Sequence, residues 1–254
     1  MDITDRHAAI LHKLKEEGRV KINELSEELK VSGVTIRKDL KLLEDKHLLF
    51  RTHGGASMSN PYMNERTINE KELINIHVKK AIAEAAMQLI GEKDSIIIGS
   101  GTTVFQLAHI LETTRPLTVI TPAVKVTLEL CNKANIEVLQ LGGIIRKNSS
   151  SVAGDVAQRI LAEISSGILF LGIDGIDLDF GLSITNLSEA ALNKQMIASA
   201  QVVVILADST KFGKRGLGKV CGFDQVHYII TDANTPSKVI KALEEKDIKV
   251  IITR

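Results

Sequence analysis

Seven short apolar runs, at 96–98, 117–120, 136–141, 168–171, 202–206, 228–230 and 250–252, recur from residue 96 onward, and stretches of helical period separate them. Runs that are apolar on both faces, alternating with helices, imply a mostly parallel sheet covered by helices on either side. This part of the chain is therefore expected to be an α/β domain. In such open sheets ligands sit at the carboxyl ends of the strands, so the residues that follow each run are where chemistry is to be sought.

The first run ends in Gly99, Ser100, Gly101, Thr102 and Thr103, followed by a helix through Val104, Leu107, Ala108 and Leu111. Small residues at a helix N-terminus leave N–H groups and hydroxyls free for a phosphate, although a plain tight turn uses the same residues. The loop is neither GxGxxG nor a P-loop, which argues against dinucleotide binding and nucleotide hydrolysis. The second run ends at Thr121-Pro122 and the third at Leu141-Gly142-Gly143, with Arg146 close behind. The fourth ends at Gly172-Ile173-Asp174-Gly175-Ile176-Asp177 and the fifth at Ala207-Asp208-Ser209-Thr210-Lys211. Taken singly, glycines turn chains and Asp208 caps a turn. Taken together, five such ends predict a site in which Lys211 and Arg146 neutralise a phosphate while Asp174 or Asp177 accepts from sugar hydroxyls.

A second pattern precedes the sheet. Ile36, Leu40 and Leu43 fall at i, i+4 and i+7, while Thr35, Arg37, Lys38 and Lys41 lie off that stripe, giving a helix with an apolar back and a basic front. Ser32 is its expected N-cap. Ile22, Leu25 and Leu29 mark a short helix before it, and Ile10, Leu11 and Leu14 a third, so that Val31-Ser32-Gly33 is a connection of helix-turn-helix length. Leu48 to Ala56 then reads as an extended run with a flexible Gly54-Gly55 turn, a wing placing Arg51 and His53 on phosphates. Three-helix units with a basic face also serve as protein-interaction modules. Residues 1–57 carry 11 Lys+Arg against 10 Asp+Glu, which does not separate these readings, but residues 30–53 carry six against three. A local basic face is what counterion release from DNA requires.

Between these regions, Ser57-Met58-Ser59-Asn60-Pro61 breaks the periodicity. The expected division is a winged helix-turn-helix domain at 1–57, a linker at 58–73 and an α/β domain at 74–254, opened by a helix on Ile74, Val78, Ile82, Ala85, Ala86 and Leu89. Cys131 and Cys221 lack metal-ligand spacing and read as buried free thiols; no metal site or cofactor is expected. No signal peptide or membrane span is visible, and the cytoplasm is the expected location.

The N-terminal motifs resemble the DeoR family of bacterial transcription regulators, whose signature runs VS-x-x-TIRRDL-x-x-LE into R-x-HGGA. This chain departs from it at Lys38, where arginine is usual, and at Lys46-His47, where a glycine usually precedes the wing. Lysine keeps the charge but lacks the bidentate fork, so a phosphate role survives better than a guanine-reading one. The resemblance continues through Gly101-Thr102-Thr103, Leu141-Gly142-Gly143, Phe170-Leu171-Gly172, Gly175-Ile176-Asp177, Gly181-Leu182-Ser183 with Glu189-Ala190, and Asp208-Ser209-Thr210-Lys211. Gly99 stands where the family has aspartate and Pro122 where it has asparagine, and Pro122 offers neither a backbone donor nor an amide.

The resemblance implies a C-terminal domain similar to ribose-5-phosphate isomerase that binds a phosphorylated sugar or polyol, which relieves repression. It thereby implies a homo-oligomeric repressor, dimer or tetramer, of a carbohydrate operon on double-stranded operator DNA. Effector contacts are expected from Ser100, Gly101, Thr102, Thr103, Thr121, Gly142, Gly143, Arg146, Asp174, Gly175, Asp177, Glu189 and Lys211, and coupling through the helix around Ile74 to Leu89. The competing expectation is an isomerase-like enzyme with an appended DNA-binding domain, Asp174 and Asp177 serving as its paired carboxylates and Lys211 as its phosphate lysine. A catalytic domain needs no recognition helix, so no enzymatic activity is expected.

Overall fold

The computed structural model describes residues 2–46, 48–52, 54–58 and 67–253. The chain divides into two units, Met1–Asn64 and Glu65–Arg254. The expected contact residue His53 and the positions 59–66 of the expected linker lie outside the described residues.

In the first unit α1 (Ile3–Glu17) starts where the Asp2 carboxylate accepts the Asp5 N–H and stops at Gly18, whose φ of 71° suits glycine. There follow β1 (Arg19–Lys21), α2 (Ile22–Glu28), α3 (Gly33–Asp45), β2 (Phe50–Thr52) and β3 (Gly55–Ser57). The strands form an antiparallel sheet in the order β1-β3-β2. Ile10, Leu14, Val20, Leu25, Ile36, Leu40, Leu43, Leu49 and Ala56 make one core, so the stripe read from the sequence is the buried face of α3.

The glycine pair of the wing acts otherwise than expected. Nothing crowds Gly54, whereas a Cβ on Gly55 would lie 1.7 Å from the Val20 carbonyl oxygen. Close approach of β1, rather than turn flexibility, requires glycine there. Asp39, on the inner side of α3 and 2% exposed, accepts from Arg6 Nε at 2.6 Å and Nη2 at 3.0 Å, with His7 Nε2 at 3.2 Å. This ion pair pins α1 to α3.

The second unit runs α4 (Ile68–Glu72), α5 (Ile76–Met87), β4 (Ser95–Ile98), α6 (Thr102–Ile110), β5 (Leu117–Thr121), α7 (Val124–Leu130), β6 (Ile136–Gln140), β7 (Ile144–Arg146), β8 (Ser151–Ala153), α8 (Asp155–Ala162), β9 (Ile168–Gly172), β10 (Gly175–Asp177), β11 (Gly181–Ile184), α9 (Leu187–Ala198), β12 (Val203–Leu206), β13 (Gly218–Cys221), β14 (Tyr228–Asp232), α10 (Ser237–Glu244) and β15 (Lys249–Thr253). Seven strands pair in parallel in the order β15-β14-β12-β9-β4-β5-β6, and these are the seven apolar runs. Alternation assigns their side chains to two cores. Ile96, Ile98, Phe170 and Val204 join one, while Ile97, Leu169, Leu171 and Ile205 join the other. The chain enters at β4 near the middle, builds outward through β5 and β6, and then returns to β9 on the other side of β4. The ends of β4 and β9 thus flank the crevice where the winding reverses, the place where open parallel sheets bind ligands.

Several local expectations require correction. Residues 67–73 are not an open connector: Thr67 and Glu70 form a capping box on α4, and Ile68 is buried. The buried stripe of α5 is Lys79, Ile82, Ala83 and Ala86, leaving Ile74 40% exposed ahead of the helix. Cys221 is buried, which pushes its thiol up to about 12, but Cys131 caps α7 and is exposed.

Burial opposes ionisation of Asp39, and Arg6 and then His7 override it, holding the carboxyl below its ordinary value. Its contribution is therefore present at neutral pH and is lost as the pH falls from the ordinary carboxylate range through the lowered value. Asp39→Ala, which leaves Arg6 without its partner, is expected to destabilise the first unit by about 3 kcal/mol in denaturant unfolding at neutral pH. The deficit relative to wild type should shrink on acidification.

Candidate nucleic-acid interface and effector site

Ser32 caps α3, its Oγ accepting the Thr35 N–H at 3.2 Å and lying 2.9 Å from Thr35 Oγ1. Arg37, Lys38 and Lys41 are exposed and form no ion pair among the described residues. They share the face of α3 opposite its core, with Thr35 half-buried beside them. Arg51 stands on the wing, where Glu44 accepts its backbone N–H at 2.9 Å and lies 3.7 Å from its Nη1. That contact ties the wing to the end of α3.

In the second unit the expected effector residues fall into three groups. At the crevice, Gly101 (φ 127°) opens α6, with Thr102 and Thr103 behind it, and Ser100 Oγ lies 2.6 Å from Ser151 Oγ. A Cβ on Gly172, at the end of β9, would come 3.1 Å from the Ser100 carbonyl oxygen, so the two loops touch there. Asp174 follows β9. Its Oδ2 accepts from Thr185 N at 3.1 Å and Thr185 Oγ1 at 2.9 Å, and its Oδ1 accepts from Lys71 Nζ at 3.1 Å. Burial works against this charge, but Lys71, then Lys211, then the Thr185 N–H hold the carboxyl below its usual range. Lys211 sits in a 3-10 turn at Ser209–Lys211, started by Asp208, whose carboxylate accepts the Thr210 N–H at 2.9 Å. Asp232 secures that turn from the next strand by accepting the Ser209 N–H at 2.6 Å.

A second group borders the crevice. Gly142 and Gly143 end the β6 segment, and Gly143 (φ 143°) turns into the β7–β8 hairpin. From that hairpin Arg146 reaches Glu189 on α9, with Nη1 2.5 Å from Oε1. Glu189 is thus a buried counter-ion for Arg146 rather than a group open to a ligand.

The remaining residues have other tasks. Thr121 is fully buried and its Oγ1 accepts the Ala123 N–H at 3.1 Å, while the carbonyl of Pro122 accepts from Val152 at 2.9 Å. Gly175 is packed so closely that a Cβ would lie 2.4 Å from the Lys214 carbonyl oxygen. Asp177 turns away from Asp174: its Oδ1 accepts from Asp179 N, Phe180 N and, at 2.9 Å, Arg215 Nη2. The pair of cooperating carboxylates that an isomerase reading requires is therefore not assembled.

Sequence reading missed Lys71 and Lys79. Lys79, 4% exposed, donates from Nζ to the Lys71 carbonyl at 2.5 Å. Burial lowers its pKa, Asp208 opposes that shift, and Lys211 and Lys71 add to it. Its place three and seven residues before Ile82 and Ala86 is the signal that would have found it.

A family model described as the DeoR-like helix-turn-helix domain matches residues 6–61, and one described as the DeoR C terminal sensor domain matches residues 74–233. The chain belongs to the DeoR family. An HTH-type transcriptional regulator of Bacillus subtilis (strain 168) is 36% identical over 250 residues, which is 98% of this chain and 96% of its own. The glycerol-3-phosphate regulon repressor of Escherichia coli (strain K12) is 28% identical over 250 residues, covering 98% and 99%. Among solved structures, ribose 5 phosphate isomerase A from Neisseria gonorrhoeae aligns over 54% of this chain and 53% of that one, at 18% identity and a TM-score of 0.40. As a DeoR-family protein the chain is a DNA-binding transcriptional regulator with a sensor domain, not an enzyme.

Arg37→Ala, Lys38→Ala and Lys41→Ala are each expected to weaken binding to duplex DNA. Titrations across a salt series should show the slope of log affinity against log salt falling by about 1 for each phosphate contact removed.

Proposed function

We propose that this chain represses a carbohydrate-metabolism operon and leaves its operator when a phosphorylated sugar or polyol binds the second unit. The DNA-binding face is Thr35, Arg37, Lys38 and Lys41 on α3 in or beside the major groove, with Ser32 as the cap that fixes the helix start. Arg51 and His53 hold backbone phosphates from the wing. In this reading residues 1–57 are the DNA-binding domain and 74–254 the sensor. The working form is a homo-oligomer gripping a repeated operator in the cytoplasm, where the operator lies.

What supports the effector half is that the helix start made of Gly101, Thr102 and Thr103, then Asp174, then Lys211 follow β4, β9 and β12, neighbours in the parallel sheet, at the edge where the winding reverses. Backbone N–H groups and an ammonium suit a phosphate, while a carboxylate held ionised accepts hydroxyls of the carbon chain. Ser100, Gly142, Gly143 and Arg146 border the same space. A relative named for the glycerol-3-phosphate regulon points to the same chemistry.

The test is a thermal-shift screen of the full chain against sugar and polyol phosphates with their unphosphorylated counterparts alongside, since a ligand that binds only the folded state raises its apparent stability. A rise with phosphorylated members alone is expected, lost in Lys211→Ala. Equal shifts from the unphosphorylated compounds would contradict the assignment.

A further inference from the structure

Helix α4 is held in an unusual way. It is five residues long and buries one side chain, Ile68; Leu73 at its end is 82% exposed. Its other attachments are polar and reach four separate parts of the second unit. The Ile68 N–H donates to the Asn148 carbonyl in the β7–β8 turn at 2.7 Å. Lys125 of α7 donates to Asn69 Oδ1 at 3.0 Å and Glu72 Oε1 at 2.6 Å. Lys71 donates to Asp174 at 3.1 Å, and Lys79 of α5 donates to the Lys71 carbonyl. The helix is thus a strap, fastened by charge rather than by apolar packing, next to the crevice between β4 and β9. In sequence it is the first described element after the residues that join the two units.

The charges under the strap are unbalanced. Lys71, Lys79 and Lys211 gather around Asp174 and Asp208, while Glu72 is matched by Lys125. Asp174 is under the influence of both Lys71 and Lys211. It occupies the place that an anionic ligand with the same two partners would take.

We propose that Lys71 is a phosphate-binding residue of the effector site, exchanging Asp174 for the ligand's phosphate so that α4 carries occupancy to the segment joining the units. The inference rests on the effector-site reading above and adds to it both a residue and a route. A dianionic group brought in by Lys211 repels Asp174 and attracts Lys71, and Asp174 keeps Thr185 and gains the ligand's hydroxyls. A strap with one buried apolar side chain gives up little packing when it shifts, whereas each ion-pair exchange changes the relative stability of its two positions.

Inorganic phosphate isolates the anion subsite because it carries no carbon-chain hydroxyls. Calorimetric titration of phosphate into the full chain is expected to show about tenfold weaker binding for Lys71→Met, recovery in Lys71→Arg, and tighter binding by a few-fold for the isosteric Asp174→Asn, which removes the competing carboxylate. The opposite signs are decisive. If Lys71 and Asp174 only brace the fold, both variants weaken binding alike or neither changes it, and that result overturns the proposal. Movement is read separately. The chain has no tryptophan, so Leu73→Trp places a single reporter at the end of α4. Its emission should shift on adding phosphate and stay fixed when Lys71→Met is added. Wild-type protein that binds neither phosphate nor any sugar phosphate defeats the effector-site reading itself. Wild-type binding that Lys211→Ala abolishes and Lys71→Met leaves intact defeats this inference alone.

Discussion

Parallel pairing is the constraint from which the sensor half follows. When seven strands run the same way, every one of them ends at the same edge of the sheet, and each connection must return over a face before the next strand begins. The loops that follow the strands are therefore gathered at one edge wherever they fall in the sequence. Reversal of the winding between β4 and β9 opens the crevice there. Gly172 lets the two loops meet, and Asp174 and Lys211 follow neighbouring strands at that edge, near enough for the lysine to act on the carboxyl.

The DNA-binding half depends on a smaller device. Among the described residues its core has nine buried apolar side chains, and in a unit this small, where burial alone leaves little margin, specific contacts that pin the helices add to it. Asp39 does this from inside, with Arg6 and His7 as partners, while the opposite face of the same helix turn presents Arg37, Lys38 and Lys41 to solvent. The acid and the bases within this short stretch have separate tasks, which explains why the bulk charge of the unit says little about DNA. What matters is that the acid is turned inward.

Much of this was legible in the sequence because the inner strands, buried on both faces, leave nearly unmixed apolar runs, while the edge strands β6 and β15, only partly buried, still carry enough apolar residues to stand out. The hairpins β7–β8 and β10–β11 did not. They are three or four residues long and mix polar with apolar side chains, so neither period stands out. Helix α4 lay hidden in a stretch of polar residues read as linker, although Thr67 and Glu70 have the spacing of a capping box. Lys79 and Asp39 were overlooked for a shared reason: each is a charged residue at a stripe position, and a charge is assigned by default to the solvent face. Among the expected site residues, Thr121, Glu189 and Asp177 have the right side chains in the right loops. Their partners, a backbone N–H for Thr121, Arg146 for Glu189 and Arg215 for Asp177, become visible only in three dimensions.

In the proposed mechanism, occupancy of the crevice at the β4 and β9 ends sets the affinity of the α3 face for DNA. The most direct measurement is fluorescence anisotropy of labelled duplex carrying the region upstream of the regulated genes, titrated with the full chain at fixed salt. It would be made with and without the phosphorylated compound that most raises the protein's thermal stability. At least a tenfold loss of affinity is expected with the compound present, corresponding to about 1.4 kcal/mol of coupling, and none with the unphosphorylated counterpart. Unchanged affinity at saturating compound would show that the sensor binds its ligand without acting on the DNA-binding face, and would overturn the proposed coupling.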